Sequence, residues 1–88
     1  AELISIEARR AGVSPQLAVR ISACESGLDP NAKNPSSTAG GAFQFLDSTW
    51  AQYCVGDKFD PEDNIRCAVS MMAEDGFLHW IPSAACWL

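Results

Sequence analysis

Four cysteines in 88 residues constrain this chain more than any other feature of it. Cys24, Cys54, Cys67 and Cys86 form no Cys-x-x-Cys pair, and His79 is the one histidine. A zinc site is built from closely spaced thiolates and imidazoles, so that reading fails on spacing. A short chain with an even cysteine count instead predicts two disulfides and an oxidising compartment. Spacing alone leaves the connectivity open. One arrangement, Cys24 with Cys86 and Cys54 with Cys67, would tie the C-terminal tail to the second helix and the third helix to the fourth.

Length suits one domain, residues 1–88, with a single modest core. The composition is 48% hydrophobic, which marks globular material. The net charge of -5 speaks against nucleic acid, where Lys and Arg neutralise phosphate to supply affinity. It speaks equally against adsorption to anionic membranes. No apolar run approaches the ~20 residues that a bilayer span requires. Ala1 opens no signal peptide, so a secreted form is expected as a mature chain or a domain taken from a longer one. A monomer with no cofactor is expected. Asp57, Asp60, Glu62, Asp63 and Asn64 lack the spacing and central glycine of a calcium loop, so no metal is expected and helix capping explains the cluster.

The patterning is helical throughout and predicts an all-α fold. Leu3, Ile4, Ala8 and Ala11 recur at helical spacing until Gly12. Ser14-Pro15 opens a second helix, serine as cap and proline in the first position. Leu17, Ile21, Cys24 and Leu28 share its core stripe, and Gly27 is its stop. Residues 29–41 are rich in Asn, Pro, Ser, Thr and Gly and predict a loop. A short helix is expected from Asp47 or Ser48 to Tyr53. Asp60-Pro61-Glu62-Asp63 opens a fourth helix with Ile65, Val69, Met72 and Ala73 buried and Gly76 at its end. The apolar tail, Phe77 to Leu88, is expected to pack back on the domain.

The candidate chemistry lies between Cys24 and Trp50. Glu25 falls in the last turn of the second helix, off its core stripe. An acid can deliver a proton near neutral pH where its surroundings favour the neutral form, as apolar groups and the negative end of a helix do. Phe43, Phe45 and Trp50 are the candidate apolar neighbours. Gln44 supplies one amide within the Gly41-Ala42-Phe43-Gln44-Phe45 segment. An acid, a polar loop and an aromatic, amide-bearing segment form a pattern suited to a small sugar-cleaving cleft. Trp faces stack on sugar rings and also fill cores, so Trp50, Trp80 and Trp87 divide between the two uses. His79 is a candidate for binding a sugar edge; Met71 and Met72 read as packing.

Ala23-Cys24-Glu25-Ser26-Gly27-Leu28-Asp29-Pro30-Asn31-Ala32 resembles the Glu-Ser-Gly motif of the lytic transglycosylases of the SLT-type, goose-lysozyme-like superfamily. Gly41-Ala42-Phe43-Gln44 is similar to that family's Gly-Leu-Met-Gln motif. Phe59-Asp60-Pro61 with Asn64-Ile65 is similar to its third motif. Cys24-Glu25-Ser26-Gly27, Gly40 to Phe45 and Ser48-Thr49-Trp50 also resemble resuscitation-promoting factors, which join the Cys before their Glu to a Cys in the tail. The transglycosylases' later Tyr-Asn-Ala-Gly motif has no counterpart; His79-Trp80 occupies roughly that region.

The resemblance implies a lysozyme-like fold, the Cys24–Cys86 pairing, a secreted or periplasmic setting, and peptidoglycan as partner. It implies Glu25 as catalytic acid and then base. Gln44 would bond a sugar or N-acetyl group, and Ser36 or Ser37 would orient the substrate or Glu25. Phe43, Asn64, His79 and Trp80 complete the expected substrate contacts. The expected reaction cuts the β-1,4 bond between N-acetylmuramic acid and N-acetylglucosamine. Hydrolases mostly use two carboxyls. Asp29 and Asp47 are the nearest others, and they read as a turn residue and a helix cap, so a 1,6-anhydro product is favoured over hydrolysis. A muramidase and a non-catalytic wall-binding module are the alternatives. A secreted inhibitor or toxin fits the helix signals and apolar content less well.

Overall fold

The computed structural model describes all 88 residues. Its helices are α1 (Glu2–Ala11), α2 (Pro15–Ser26), α3 (Asp47–Tyr53), α4 (Pro61–Asp75), a 3₁₀ helix (Leu78–Ser83) and α5 (Ala84–Trp87). There is no strand, only isolated bridges from Gly40 to Lys33 and to Phe45. The all-α expectation holds.

The boundaries follow local chemistry. Ser14 caps α2 by accepting from the Leu17 N–H, with Pro15 in the first turn. Asp60 caps α4 by accepting from Glu62 and Asp63. Gly12 and Gly27 close α1 and α2 in the left-handed conformation that a Cβ disfavours. α3 is shorter and has no side-chain cap; Leu46 holds the cap position and Asp47 begins the helix. Asp47 therefore caps nothing. Its carboxylate lies 2.6 Å from Lys58 Nζ.

α1 packs against α2 and α4, and the tail elements pack against α2. One core joins Ile4 and Ala8 of α1, Ala18 and Ile21 of α2, and Ile65, Ala68, Val69 and Met72 of α4 with Phe43, Phe45, Trp80 and Trp87. Two residues depart from the expected stripes. Leu28 lies beyond the Gly27 turn, where the helical register no longer applies, and is 37% exposed. Ala73 faces solvent, whereas Ala68 and Met71 are buried.

The disulfides are Cys24–Cys86 and Cys54–Cys67, with Cα–Cα separations of 6.0 and 5.7 Å. The first fastens the tail to the end of α2. The second joins the residue that follows α3 to the middle of α4. No helix is long and apolar enough to cross a membrane.

Candidate active site

Glu25 projects from the last turn of α2 into a cleft of about 310 Å³. The cleft is lined by residues from three places: Glu25 on α2; Phe43, Gln44, Phe45, Leu46 and Thr49 from the central loop and α3; His79, Trp80, Pro82 and Ser83 from the 3₁₀ helix. Its volume is at the lower end of the range for small-molecule sites. Glu25 is the one carboxylate among these residues.

The loop that faces Glu25 is rigidly specified. Gly40 and Phe45 exchange both backbone hydrogen bonds, at 3.0 Å each, and close residues 41–44 into a tight turn. Gly41 has φ +84°, and a Cβ there would strike the Asn64 side chain and the Lys58 carbonyl. Ser22 and Ser26 of α2 both donate to the Ala42 carbonyl, at 2.8 and 2.7 Å. The serine of Glu-Ser-Gly thus joins the helix bearing the acid to the loop bearing the amide.

Gln44 sits at φ +55°, an uncommon conformation for a residue with a side chain. Its Nε2 donates to the Ala32 and Gly41 carbonyls at 3.1 and 3.0 Å. Two carbonyl partners require that nitrogen face inward, which turns Oε1 outward as the atom offered to a ligand.

The aromatic floor comes from both sides of the chain. Phe43 and Phe45 each meet the Trp80 ring edge-on, with centroids 5.9 Å apart. Trp80 Nε1 donates to the Phe43 carbonyl at 3.1 Å. Phe43 and Trp80 are only 1% and 4% exposed, so they support the cleft from below and offer little ring face to a sugar. His79 is exposed at the rim, its ring 5.6 Å from that of Tyr53. Trp50 stays out of the lining. It packs on Phe45 at 5.3 Å and donates to the Gly56 carbonyl.

Three expected contacts lie elsewhere. Asn64 is 1% exposed and spends its amide on backbone: Oδ1 accepts from the Phe43 N–H at 3.0 Å and Nδ2 donates to the Lys58 carbonyl at 2.8 Å. Its role is to hold the cleft loop from behind. Ser36 and Ser37 are exposed on the loop between α2 and α3 and do not line the cleft. Ser36 donates its N–H to Asn34 Oδ1, and Ser37 Oγ accepts from the Ala39 N–H, both local turn bonds.

Neither candidate second carboxylate reaches Glu25's cleft. Asp29 accepts from the Asn31 N–H at 2.9 Å, as a turn residue does. Asp47 pairs with Lys58, whose buried ammonium also donates to the Thr38 carbonyl at 2.5 Å. That pair anchors the 33–40 loop.

The residue that sequence reasoning missed is Ser83. Its hydroxyl lies 2.5 Å from Glu25 Oε2. No motif marks it, because the contact spans 58 residues and depends on the tail folding back. The Cys24–Cys86 pairing was the one available signal, since it brings the residues next to Glu25 and Trp87 together.

A half-buried acid at a helix end, an outward-facing amide oxygen and an aromatic floor meet in one cleft. The chain belongs to the transglycosylase SLT domain family, whose model matches residues 2–76. The match ends at Gly76, so the 3₁₀ helix and α5, with His79, Trp80 and Ser83, lie outside it. No curated protein matches the chain, and no solved structure does. The resemblance to resuscitation-promoting factors receives no family match of its own, although Cys24–Cys86 is the bridge it implied.

Proposed function

We propose that the chain cleaves the β-1,4 bond between N-acetylmuramic acid and N-acetylglucosamine in peptidoglycan, leaving a 1,6-anhydromuramyl end. The observation that carries this reading is that Glu25 is the one carboxylate lining the cleft. Hydrolysis by paired carboxyls needs a partner on the far side of the sugar. One carboxyl suffices when the substrate supplies its own nucleophile.

In the first step the protonated Glu25 gives its proton to the glycosidic oxygen. The C1–O bond breaks and its electron pair leaves with the N-acetylglucosamine hydroxyl. Glu25, now a carboxylate, takes the proton of the muramyl C6 hydroxyl while that oxygen bonds to C1. Glu25 ends protonated, and no water is consumed. Gln44 Oε1 accepts from an N–H or O–H of the bound glycan, and the N-acetyl N–H is the donor best matched to an amide oxygen. His79 forms the rim against which a sugar edge rests, with the Tyr53 ring packed against it.

Two disulfides fit an oxidising compartment, which agrees with action in the cell envelope or outside the cell. A turbidity assay on purified cell walls tests the activity. The wild type is expected to clear them, and Glu25→Gln is expected to leave them intact while keeping its fold. Clearing by Glu25→Gln would refute the assignment.

A further inference from the structure

We propose that Ser83 is a positioning residue for Glu25 that serves both of its protonation states. The inference rests on the reading of Glu25 as an acid that becomes a base within one turnover.

Ser83 Oγ has three partners. Glu25 Oε2 is 2.5 Å away, the Trp80 carbonyl oxygen 3.0 Å, and Trp87 Nε1 3.0 Å. A hydroxyl offers one proton and two lone pairs. The Trp87 indole can only donate and the Trp80 carbonyl can only accept. Glu25 is the partner that changes sign. When Glu25 is ionised, Ser83 gives it the proton and accepts from Trp87. When Glu25 is protonated, Ser83 accepts from the carboxylic O–H and from Trp87, and turns its own proton to the Trp80 carbonyl. That carbonyl also receives Trp87 Nε1 at 3.3 Å, so it is never orphaned. No proton passes through Ser83; only its O–H bond rotates. Glu25 keeps one position while its charge changes.

The frame around the hydroxyl is fixed. Trp80 and Trp87 are buried, and Arg20 of α2 donates to the Trp87 carbonyl at 3.1 Å. Cys24–Cys86 fastens the neighbours of Glu25 and Trp87 to each other. Ser83 also stands at the N-cap position of α5, where a serine is ordinarily explained by capping. Its side chain makes no capping bond there, so that explanation does not account for it. Of the charged or titratable groups on the packed elements, His79 is the other one lining the cleft, and Arg20 faces the tail through the Trp87 carbonyl.

Nuclear magnetic resonance across pH tests this on the chain itself. In the wild type the Trp87 indole N–H and the Trp80 carbonyl carbon are expected to titrate together. Both titrations are expected to vanish in Glu25→Gln, which separates Glu25 from His79, and the indole titration to vanish in Ser83→Ala. A Trp80 carbonyl that stays constant in the wild type overturns the proposal whether or not Ser83→Ala folds. So does an indole that titrates unchanged in Ser83→Ala. In kinetics on soluble glycan strands, Ser83→Ala is expected to lower kcat about tenfold with KM little changed, as a loosened catalytic group does, and Ser83→Thr to restore it. Wild-type kcat in Ser83→Ala would equally overturn it. A wild type that leaves cell walls intact defeats the catalytic reading, while the two resonances still decide the coupling.

Discussion

Ser26 donates its hydroxyl to the Ala42 carbonyl at 2.7 Å, and so ties the end of the Glu25 helix to the loop that carries Gln44. Ser22 gives the same carbonyl a second bond at 2.8 Å. The acid and the amide therefore share one support, built from two hydroxyls and one backbone oxygen.

Redundancy at Ala42 predicts a non-additive pair. Ser22→Ala or Ser26→Ala alone leaves the carbonyl one donor and is expected to cost about 1 kcal/mol. The double variant orphans an interior carbonyl and is expected to cost more than the two singles together, by about 1–2 kcal/mol. Denaturant unfolding of the four proteins measures the excess, and simple additivity would contradict the shared support.

Asn64 was expected to touch substrate, and its buried position makes a different prediction. Asn64→Ala removes the partners of the Phe43 N–H and the Lys58 carbonyl. The expected loss is about 2–4 kcal/mol of stability, as for a broken buried hydrogen-bond pair. Thermal unfolding reads it. A variant with unchanged stability and a selective rise in KM would restore Asn64 to the substrate.

Gln44→Glu keeps the size of the side chain and reverses its polarity. A carboxylate cannot donate to the Ala32 and Gly41 carbonyls that now hold Nε2. Stability is expected to fall by about 2 kcal/mol, two ordinary hydrogen bonds, and glycan binding to weaken with it. Calorimetric melting and titration with chitooligosaccharide check the two effects separately.

The two disulfides are expected to differ in what they protect. Cys24–Cys86 spans 62 residues and Cys54–Cys67 spans 13, so loop entropy gives them about 4 and about 3 kcal/mol respectively. Only the first holds the wall of the cleft that bears Ser83 and Trp80. At a temperature where both double-alanine variants remain folded, Cys24→Ala/Cys86→Ala is expected to lose wall-clearing activity and Cys54→Ala/Cys67→Ala to keep most of it. Equal activity losses would contradict that division.

What could be read in advance divides along a physical line. Ser14-Pro15 and Asp60-Pro61 placed two helix starts, and Gly12, Gly27 and Gly76 three helix ends, because capping is decided by adjacent residues. Glu25 and Gln44 were legible through motifs, and both line the cleft. Ser83 was not, since its partner Glu25 lies 58 residues away and they meet only when the tail folds back. Asn64 lies buried behind the cleft loop, whereas Ser36 and Ser37 are exposed and make only local turn bonds away from the cleft. A motif residue can support the site from behind, and only burial distinguishes support from contact. Asp47 looked like a cap until Lys58, 11 residues on, claimed its carboxylate.

The central claim is that Glu25 acts without a partner carboxylate and that the glycan supplies its own nucleophile. Mass spectrometry of purified cell wall digested by the wild type tests it most directly. The account predicts fragments ending in 1,6-anhydromuramic acid, each lighter by one water than a hydrolysed fragment. Fragments carrying ordinary reducing ends and no anhydro ends would contradict it, and would make the enzyme a hydrolase.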